Sequence, residues 1–109
     1  MIVKKEKKDC SVIKITIEEG GQNIGRVYLY LVSNDLHAEP YGLIEDLYVE
    51  EAARGKGVGT KLVQTAIDEA KLKGCYKLIA MSRDSRTQVH ALYEKNGFKK
   101  YGIEFRMEI

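Results

Sequence analysis

The sequence predicts an α/β fold with a mixed sheet, and three observations support that prediction. The apolar run Leu43–Val49 has the length and the flanking residues of a buried strand. A glycine-rich loop, Arg54–Thr60, follows it, and from Val58 to about Lys73 the apolar residues recur at helical spacing. Segments of β-type alternation precede and follow this unit. The predicted order is therefore β-β-β-α-β-α-β-β.

The elements before the central strand form a predicted hairpin. Ser11–Glu18 alternates apolar and polar residues, as a half-buried strand does. Gly20-Gly21 is typical of a tight hairpin turn, and Asn23–Val32 is rich in residues that favour strands. Ser33–Tyr41, with its asparagine, aspartate and proline, is predicted to be a loop.

The elements after the loop begin with the helix from about Val58 to Lys73, which Gly74 is expected to end. Tyr76–Ser82 is then predicted to be a buried strand. A shorter helix follows over Ser85–Asn96, with Ser85 or Asp84 as its N-cap. The chain is expected to finish with two closing strands. They are Phe98–Tyr101 and Ile103–Ile109.

Composition and length limit the classes of function. With 109 residues, the chain is expected to form one domain, residues 1–109. Its net charge of +2 is too small to indicate nucleic acid or a membrane surface as a partner, and no spanning segment or signal peptide is recognised. Cys10 and Cys75 lack metal-ligand spacing, and only His37 and His90 could assist, so no metal site is expected. Reduced cysteines favour a cytoplasmic protein.

The glycine-rich loop predicts an anion site. A strand, a glycine turn and a helix start bring free backbone N–H groups and the positive end of a helix dipole to one point, which suits a phosphate. A dinucleotide fingerprint would need glycine or alanine where Thr60 stands, and Lys56-Gly57 does not fit a P-loop. The alternative is a glycine turn that binds no ligand.

Two acids interrupt the central strand, where a charge is costly unless it is paired or used. Strict alternation places Glu45 and Asp46 on opposite faces. Leu43, Leu47 and Val49 would share the face of Glu45, whereas Ile44 and Tyr48 would share that of Asp46. The alternative is that both acids pair with surface lysines.

Three segments together resemble the GNAT superfamily of acyl-CoA-dependent N-acetyltransferases. The loop Arg54–Gly59 resembles the pyrophosphate loop of that superfamily, and Glu45-Asp46 is similar to the central strand of its polyamine and glucosamine-phosphate acetyltransferases. The helix that carries Tyr93, followed by Gly97-Phe98 and YGIEFRMEI, resembles the superfamily's last helix and closing hairpin. The resemblance implies a mixed, mostly antiparallel GNAT-like sheet flanked by helices. Because the hairpin begins near Ser11, the usual N-terminal helix pair is expected to be missing.

The resemblance also implies a cofactor and a site. Acetyl-CoA would bind with its pantetheine arm along the strand backbone and its pyrophosphate on the loop amides. These cofactor-binding residues would be Leu47, Tyr48, Val49, Arg54, Gly55, Lys56, Gly57, Val58, Gly59 and Thr60. Arg54 and Lys56 could instead be ordinary solvated loop charges.

In this scheme the acetyl group would pass directly to a primary amine, with Glu45 as general base and Tyr93 as general acid. Tyr93 could equally be a core tyrosine. The missing helix pair leaves three alternatives: a second subunit of a homodimer completes the acceptor site, the acceptor is a large exposed amine such as a protein lysine or N-terminus, or catalysis has been lost. A rival hypothesis is a non-catalytic acyl-CoA-binding sensor, and a third is an interaction domain that binds no cofactor.

Overall fold

The computed structural model describes residues 1–109 and contains one four-stranded sheet in the order β1-β2-β3-β4. The first three strands are antiparallel, and β4 runs parallel to β3. The mixed, mostly antiparallel sheet is therefore confirmed. The strands are β1 (Cys10–Glu19), β2 (Gln22–Val32), β3 (Tyr41–Val49) and β4 (Leu78–Ala80).

Two α-helices accompany the sheet, α1 (Val58–Leu72) and α2 (Thr87–Lys95), with a single 3₁₀ turn at Glu51–Ala53. Residues 1–9 form neither helix nor strand. A membrane crossing would need a longer and more apolar helix than either of these.

The core lies between α1 and one face of the sheet. Because Leu62, Ala66 and Ala70 are spaced four residues apart, they form one stripe of the helix. This stripe packs on inward-facing residues of β2 and β3. Gly25 lets the helix approach the sheet closely, since a Cβ there would lie 2.9 Å from Leu62 Cδ1. The buried cluster consists of Val27, Leu29, Ile44, Leu62, Ala66 and Ala70.

The glycine signals at the ends of the elements are confirmed. Gly20 and Gly21 have φ of 59° and 78°, as a hairpin turn with two left-handed residues requires. Gly74, at φ 76°, ends α1 and donates its N–H to the carbonyl of Lys71. At the end of α2, Asn96 Nδ2 donates to the carbonyl of Leu92 (2.8 Å) and Gly97 is left-handed.

Two predicted boundaries are wrong. Of the predicted strand Tyr76–Ser82, only Leu78–Ala80 pairs with β3. Helix α2 begins at Thr87, and its N-cap is Arg86, which forms no capping hydrogen bond through its side chain. The predicted cap at Ser85 or Asp84 is therefore not formed.

The two closing strands are also absent. Residues 99–109 form no strand and are exposed along their whole length. Alternation of apolar and polar residues shows which side of a segment can be buried, but a strand exists only when another strand supplies its hydrogen bonds. No such partner lies beside this segment within the chain.

Candidate functional site

A β-bulge lies in the middle of β3. Tyr28 of β2 faces Glu45, but Arg26 faces Tyr48, so both Asp46 and Leu47 lie opposite the single residue Val27. Asp46 has φ 57°, the one non-glycine residue of the chain in the left-handed region. An extra residue held in this way locally disrupts the ladder and reverses the alternation of faces beyond it.

The bulge corrects the predicted faces of β3. Leu47 and Val49 pack against the buried core with Ile44, whereas Glu45 and Asp46 are exposed. The prediction that Leu47 and Val49 share the face of Glu45 is therefore wrong. The sequence carried one signal of this, since two adjacent acids break the apolar pattern and aspartate tolerates the left-handed region better than most residues do.

Arg26 holds Asp46 in place. Its Nε lies 2.8 Å from Asp46 Oδ2 and its Nη2 3.4 Å from Oδ1. The hydrogen bond from Arg26 is the main reason why the pKa of Asp46 lies below its usual value. The same guanidinium lies 4.7 Å from the ring centre of Tyr48. Asp46 is thus an ionised, anchored residue, and its partner is an arginine rather than a lysine.

Glu45, by contrast, forms no ion pair and no side-chain hydrogen bond. Of the two adjacent acids, Glu45 is therefore the one whose carboxylate is free to accept a proton from a bound molecule.

The glycine-rich loop presents unused donors. Gly55 and Gly57 are left-handed, with φ of 79° and 85°, and Gly57 is the N-cap of α1. The backbone N–H groups of residues 55–60 donate to no acceptor in the chain, and the first bonded amide is that of Lys61. The first turn of α1 contains no acidic residue. Six free donors at a helix start form a site for an anion.

The glycines of the loop have two different roles. A Cβ on Gly55 or Gly57 would meet nothing within 4 Å, so the space beside these residues is open to a ligand. A Cβ on Gly59 would lie 3.3 Å from Leu92 Cδ2 and 3.8 Å from Val49 Cγ2. Gly59 therefore lets α2 pack closely against the start of α1, a role that the motif alone did not reveal.

Arg54 connects the loop to β3. Its Nε donates to the carbonyl of Val49 (2.9 Å), and its guanidinium lies 5.8 Å from the ring centre of Tyr48. Lys56 takes part in no ion pair within the chain. Of the two loop cations, one thus fixes the loop and the other stays available to a ligand.

The edge of β3 that faces β4 is only partly used. Strand β4 pairs with Gly42–Ile44, so residues 45–49 have no strand partner on that side. Leu47, Tyr48 and Val49 therefore present an open strand edge beside the glycine loop, although Val49 already accepts a hydrogen bond from Arg54. Unpaired strand backbone of this kind can pair with an extended ligand.

Tyr93 is a core residue whose neighbour touches the site. Its side chain is 7% exposed, and its ring centre lies 5.3 Å from that of Phe98. Burial raises the pKa of its phenol, with Arg86 opposing the shift, so the proton is retained at neutral pH. Leu92, next to it, packs beside Gly59 at the start of α1. The structure thus brings α2, the glycine loop and the end of β3 together.

The two cavities of the structure, the metal-ligand residue types and the cysteines provide no alternative site at the glycine loop. A cavity of about 90 Å³ lies beside Arg26 and one of about 320 Å³ beside Cys10, and no residue of the glycine loop lines either of them. No three His, Cys, Asp or Glu side chains form a group that could hold a metal ion. Both cysteines are free, and burial raises the pKa of the Cys75 thiol, which makes it a poor nucleophile at neutral pH.

Comparisons with known proteins agree on one family. The model of the Acetyltransferase (GNAT) family matches residues 3–98. The chain is 40% identical over 63 residues to the probable glucosamine 6-phosphate N-acetyltransferase 2 of Oryza sativa subsp. japonica, covering 58% of this chain and 36% of that protein. It is 33% identical over 90 residues to the uncharacterized N-acetyltransferase YhfO of Bacillus subtilis, covering 83% of this chain and 60% of that protein.

A solved structure with the same fold is the glucosamine-6-phosphate N-acetyltransferase from Arabidopsis thaliana. It superposes with a TM-score of 0.81 at 28% identity, over 89% of this chain and 66% of that one. The chain thus spans between about a third and two thirds of the length of these relatives.

Proposed function

Because this chain belongs to the Acetyltransferase (GNAT) family, we propose that residues 1–109 form one N-acetyltransferase domain, which moves an acetyl group from acetyl-CoA directly to a primary amine. The observation that carries the proposal is the row of six unused N–H donors at residues 55–60, where the space beside Gly55 and Gly57 is open and the first turn of α1 contains no acid. A pyrophosphate satisfies such donors because it offers several anionic acceptors at one point.

The cofactor would lie along the end of β3. Amides from Gly55 to Thr60 would hold the pyrophosphate, with the charges of Arg54 and Lys56 beside it. The open edge of Leu47, Tyr48 and Val49 would pair with the pantetheine arm. A strand N–H on this edge would also polarise the thioester carbonyl, in the manner of an oxyanion hole. The fit is supported by the open space beside Gly55 and Gly57.

Two side chains would carry out the proton transfers of the reaction. Glu45, which has no partner in the chain, would accept the proton that the amine loses, directly or through one water. Tyr93 keeps its proton at neutral pH and would give it to the departing thiolate. The acceptor is proposed to be a primary amine. Glucosamine 6-phosphate is the first acceptor to test, because one relative is named as a probable glucosamine 6-phosphate N-acetyltransferase.

The test combines cofactor binding with turnover. Calorimetry measures acetyl-CoA affinity, and thiol release is followed with amino sugars, polyamines, aminoglycosides and lysine peptides as acceptors. Amine-dependent thiol release is expected from the wild-type protein. Gly57→Ala provides the site variant, and Gly74→Ala is its matched control, because both glycines are left-handed, lie in open space and flank the same helix.

Each glycine variant places a Cβ in the left-handed region, a strain of about 1–2 kcal/mol, so both should lower stability similarly. Only Gly57→Ala should also weaken acetyl-CoA binding, because only that Cβ enters the anion site. Equal affinity in the two variants would remove the loop from the cofactor site.

A second candidate is a non-catalytic acyl-CoA sensor. The observation that favours the sensor is the nearly complete burial of Tyr93 against Phe98. Packing in the core accounts for this tyrosine without a catalytic role. The sensor predicts acetyl-CoA binding without thiol release on any acceptor.

We also propose that two copies of the chain associate as a homodimer.

A further inference from the structure

The face of the sheet opposite α1, called the outer face below, remains accessible. Helix α1 packs on the other face, where Val27 and Leu29 of β2 are buried. Tyr28 lies between these two residues and therefore points outward. No outward-pointing residue of β1, β2 or β3 is buried. The outer face consists of Val12, Lys14, Thr16, Arg26, Tyr28, Tyr30, Leu43, Glu45, Asp46 and Tyr48.

One row of the outer face carries opposite charges on the two sides of an aromatic ring. Lys14 of β1 pairs with Tyr28 of β2, and Tyr28 pairs with Glu45 of β3. Directly paired residues of neighbouring strands point to the same side of a sheet. A cation, an aromatic ring and a free carboxylate therefore follow one another across the sheet. With neighbouring strands about 4.8 Å apart, the backbone positions of Lys14 and Glu45 are separated by about 10 Å.

The ammonium group of Lys14 is directed across the outer face. Its Nζ lies over the ring of Tyr28, 5.7 Å from the ring centre. Its charge also contributes to the lowered pKa of Asp46 on β3. Lys14 nevertheless forms no ion pair within the chain, because Asp46 is bound by Arg26. The charge of Lys14 is therefore available to an anionic group of a bound molecule.

The cavity of about 90 Å³ beside Arg26 has room for such a group, and Lys14 also lines it. A single water needs about 10–15 Å³ of space of this kind, so an anionic group of several heavy atoms fits. Thr16 and Asn23 add further hydrogen-bond donors to the lining. The lining contains one acid, Glu50, against the two cations Lys14 and Arg26. The cavity is therefore suited to an anion.

Building on the proposed function, we propose that the acceptor is a primary amine that also carries an anionic group, and that Lys14 selects it. The amine would lie at Glu45, the middle of the acceptor over Tyr28, and the phosphate or carboxylate at Lys14 and the adjacent cavity. The two charges of the acceptor would be separated by no more than about 10 Å, the spacing of Lys14 and Glu45. The order of charges on the outer face complements this acceptor, whereas a second cation at Lys14, as in a polyamine, would be repelled.

The first experiment compares acceptors that differ only in the anionic group. Glucosamine 6-phosphate is paired with glucosamine, and ε-aminocaproate is paired with its amide. Thiol release gives kcat and KM, and calorimetry with coenzyme A present gives the affinity of acceptors that are not turned over. An anionic acceptor should bind about tenfold more tightly than its neutral partner, as a charge-assisted hydrogen bond provides. A preference in one pair only would identify the anion as phosphate or carboxylate, and equal affinity within both pairs would overturn the proposal.

The second experiment assigns the preference to Lys14. Lys14→Gln should raise the KM of the anionic acceptor about tenfold and leave its kcat, the KM of the neutral partner and acetyl-CoA affinity unchanged. Lys14→Arg keeps the charge and should keep the preference. Lys71→Gln is the matched control, because it removes the same charge from an exposed position of α1, on the other side of the sheet. A preference that survives Lys14→Gln, or that Lys71→Gln reduces equally, would refute the role of Lys14.

The proposed function and this inference can fail separately. Thiol release that is equally efficient with neutral and anionic amines would support acetyl transfer and refute the selection by Lys14. Binding of an anionic amine that depends on Lys14, without thiol release, would support the acceptor site and refute acetyl transfer. The thermal unfolding of each variant shows that a change in binding does not reflect loss of the fold.

Discussion

Replacing Asp46 tests whether the left-handed bulge residue fixes the shape of β3. Asp46→Ala removes a half-exposed ion pair with Arg26, with side chains 39% and 47% exposed, which is worth about 0.2–1 kcal/mol. Alanine also lacks the side chain that makes aspartate tolerable at φ 57°, where a Cβ costs about 1–2 kcal/mol. Because the Cβ of aspartate already bears part of that strain, the expected total loss is about 1–2 kcal/mol.

Two other substitutions at Asp46 separate these contributions. Asp46→Asn loses the charge but tolerates the left-handed region, so its loss should stay below about 1 kcal/mol. Asp46→Gly also loses the pair but removes the strain, and the greater freedom of glycine in the unfolded chain costs about 0.5–1 kcal/mol. The expected order of stability is wild type, then Asn and Gly close together, then Ala.

The assay for the Asp46 series is thermal unfolding combined with thiol release. At about 4–8 °C per kcal/mol for a domain near this size, Asp46→Ala should unfold about 4–16 °C below the wild type. Turnover should fall with it, because a shifted bulge moves the adjacent Glu45 and Leu47. If alanine is no worse than glycine, the backbone conformation at position 46 is not what holds the bulge.

Three further predictions address single groups. Glu45→Gln should lower turnover by about 10²–10⁴-fold without changing acetyl-CoA affinity, and full activity would remove it as the base. Tyr93→Phe should slow transfer with little loss of stability, whereas a large fall in unfolding temperature without a kinetic effect would make it a core residue only. The pKa of Asp46 is lowered in the fold, so its contribution to stability is present above its ordinary pKa of 3.8 and is lost as pH falls through the lower folded value. The stability gap between wild type and Asp46→Asn should therefore close in acid, and a constant gap would contradict the linkage.

The sequence predicted the elements whose signals are local. The glycine turns, the extent of α1 and the order of strands through β4 depend on residues next to one another, and all are confirmed. The bulge at Asp46 was missed because a single inserted residue leaves each half of β3 with a normal period of two. The role of Gly59 was missed for a different reason, since it depends on contact with Leu92, which lies 33 positions later in the sequence.

The position of the candidate site follows from the one parallel pair of strands in the sheet. The chain leaves the carboxyl end of β3 into the glycine loop, crosses over through α1, and returns to β4. Ligands in sheets with parallel strands bind beyond the carboxyl ends of the strands, where the helix starts also lie. The free amides of residues 55–60, the open edge of β3 and Leu92 of α2 all lie near the carboxyl end of β3. Because Leu92 lies beside Gly59, the Cβ of Gly59→Ala should displace α2 and Tyr93 rather than fill the anion site. Gly59→Ala should therefore reduce turnover more than acetyl-CoA affinity. Gly57→Ala should show the reverse.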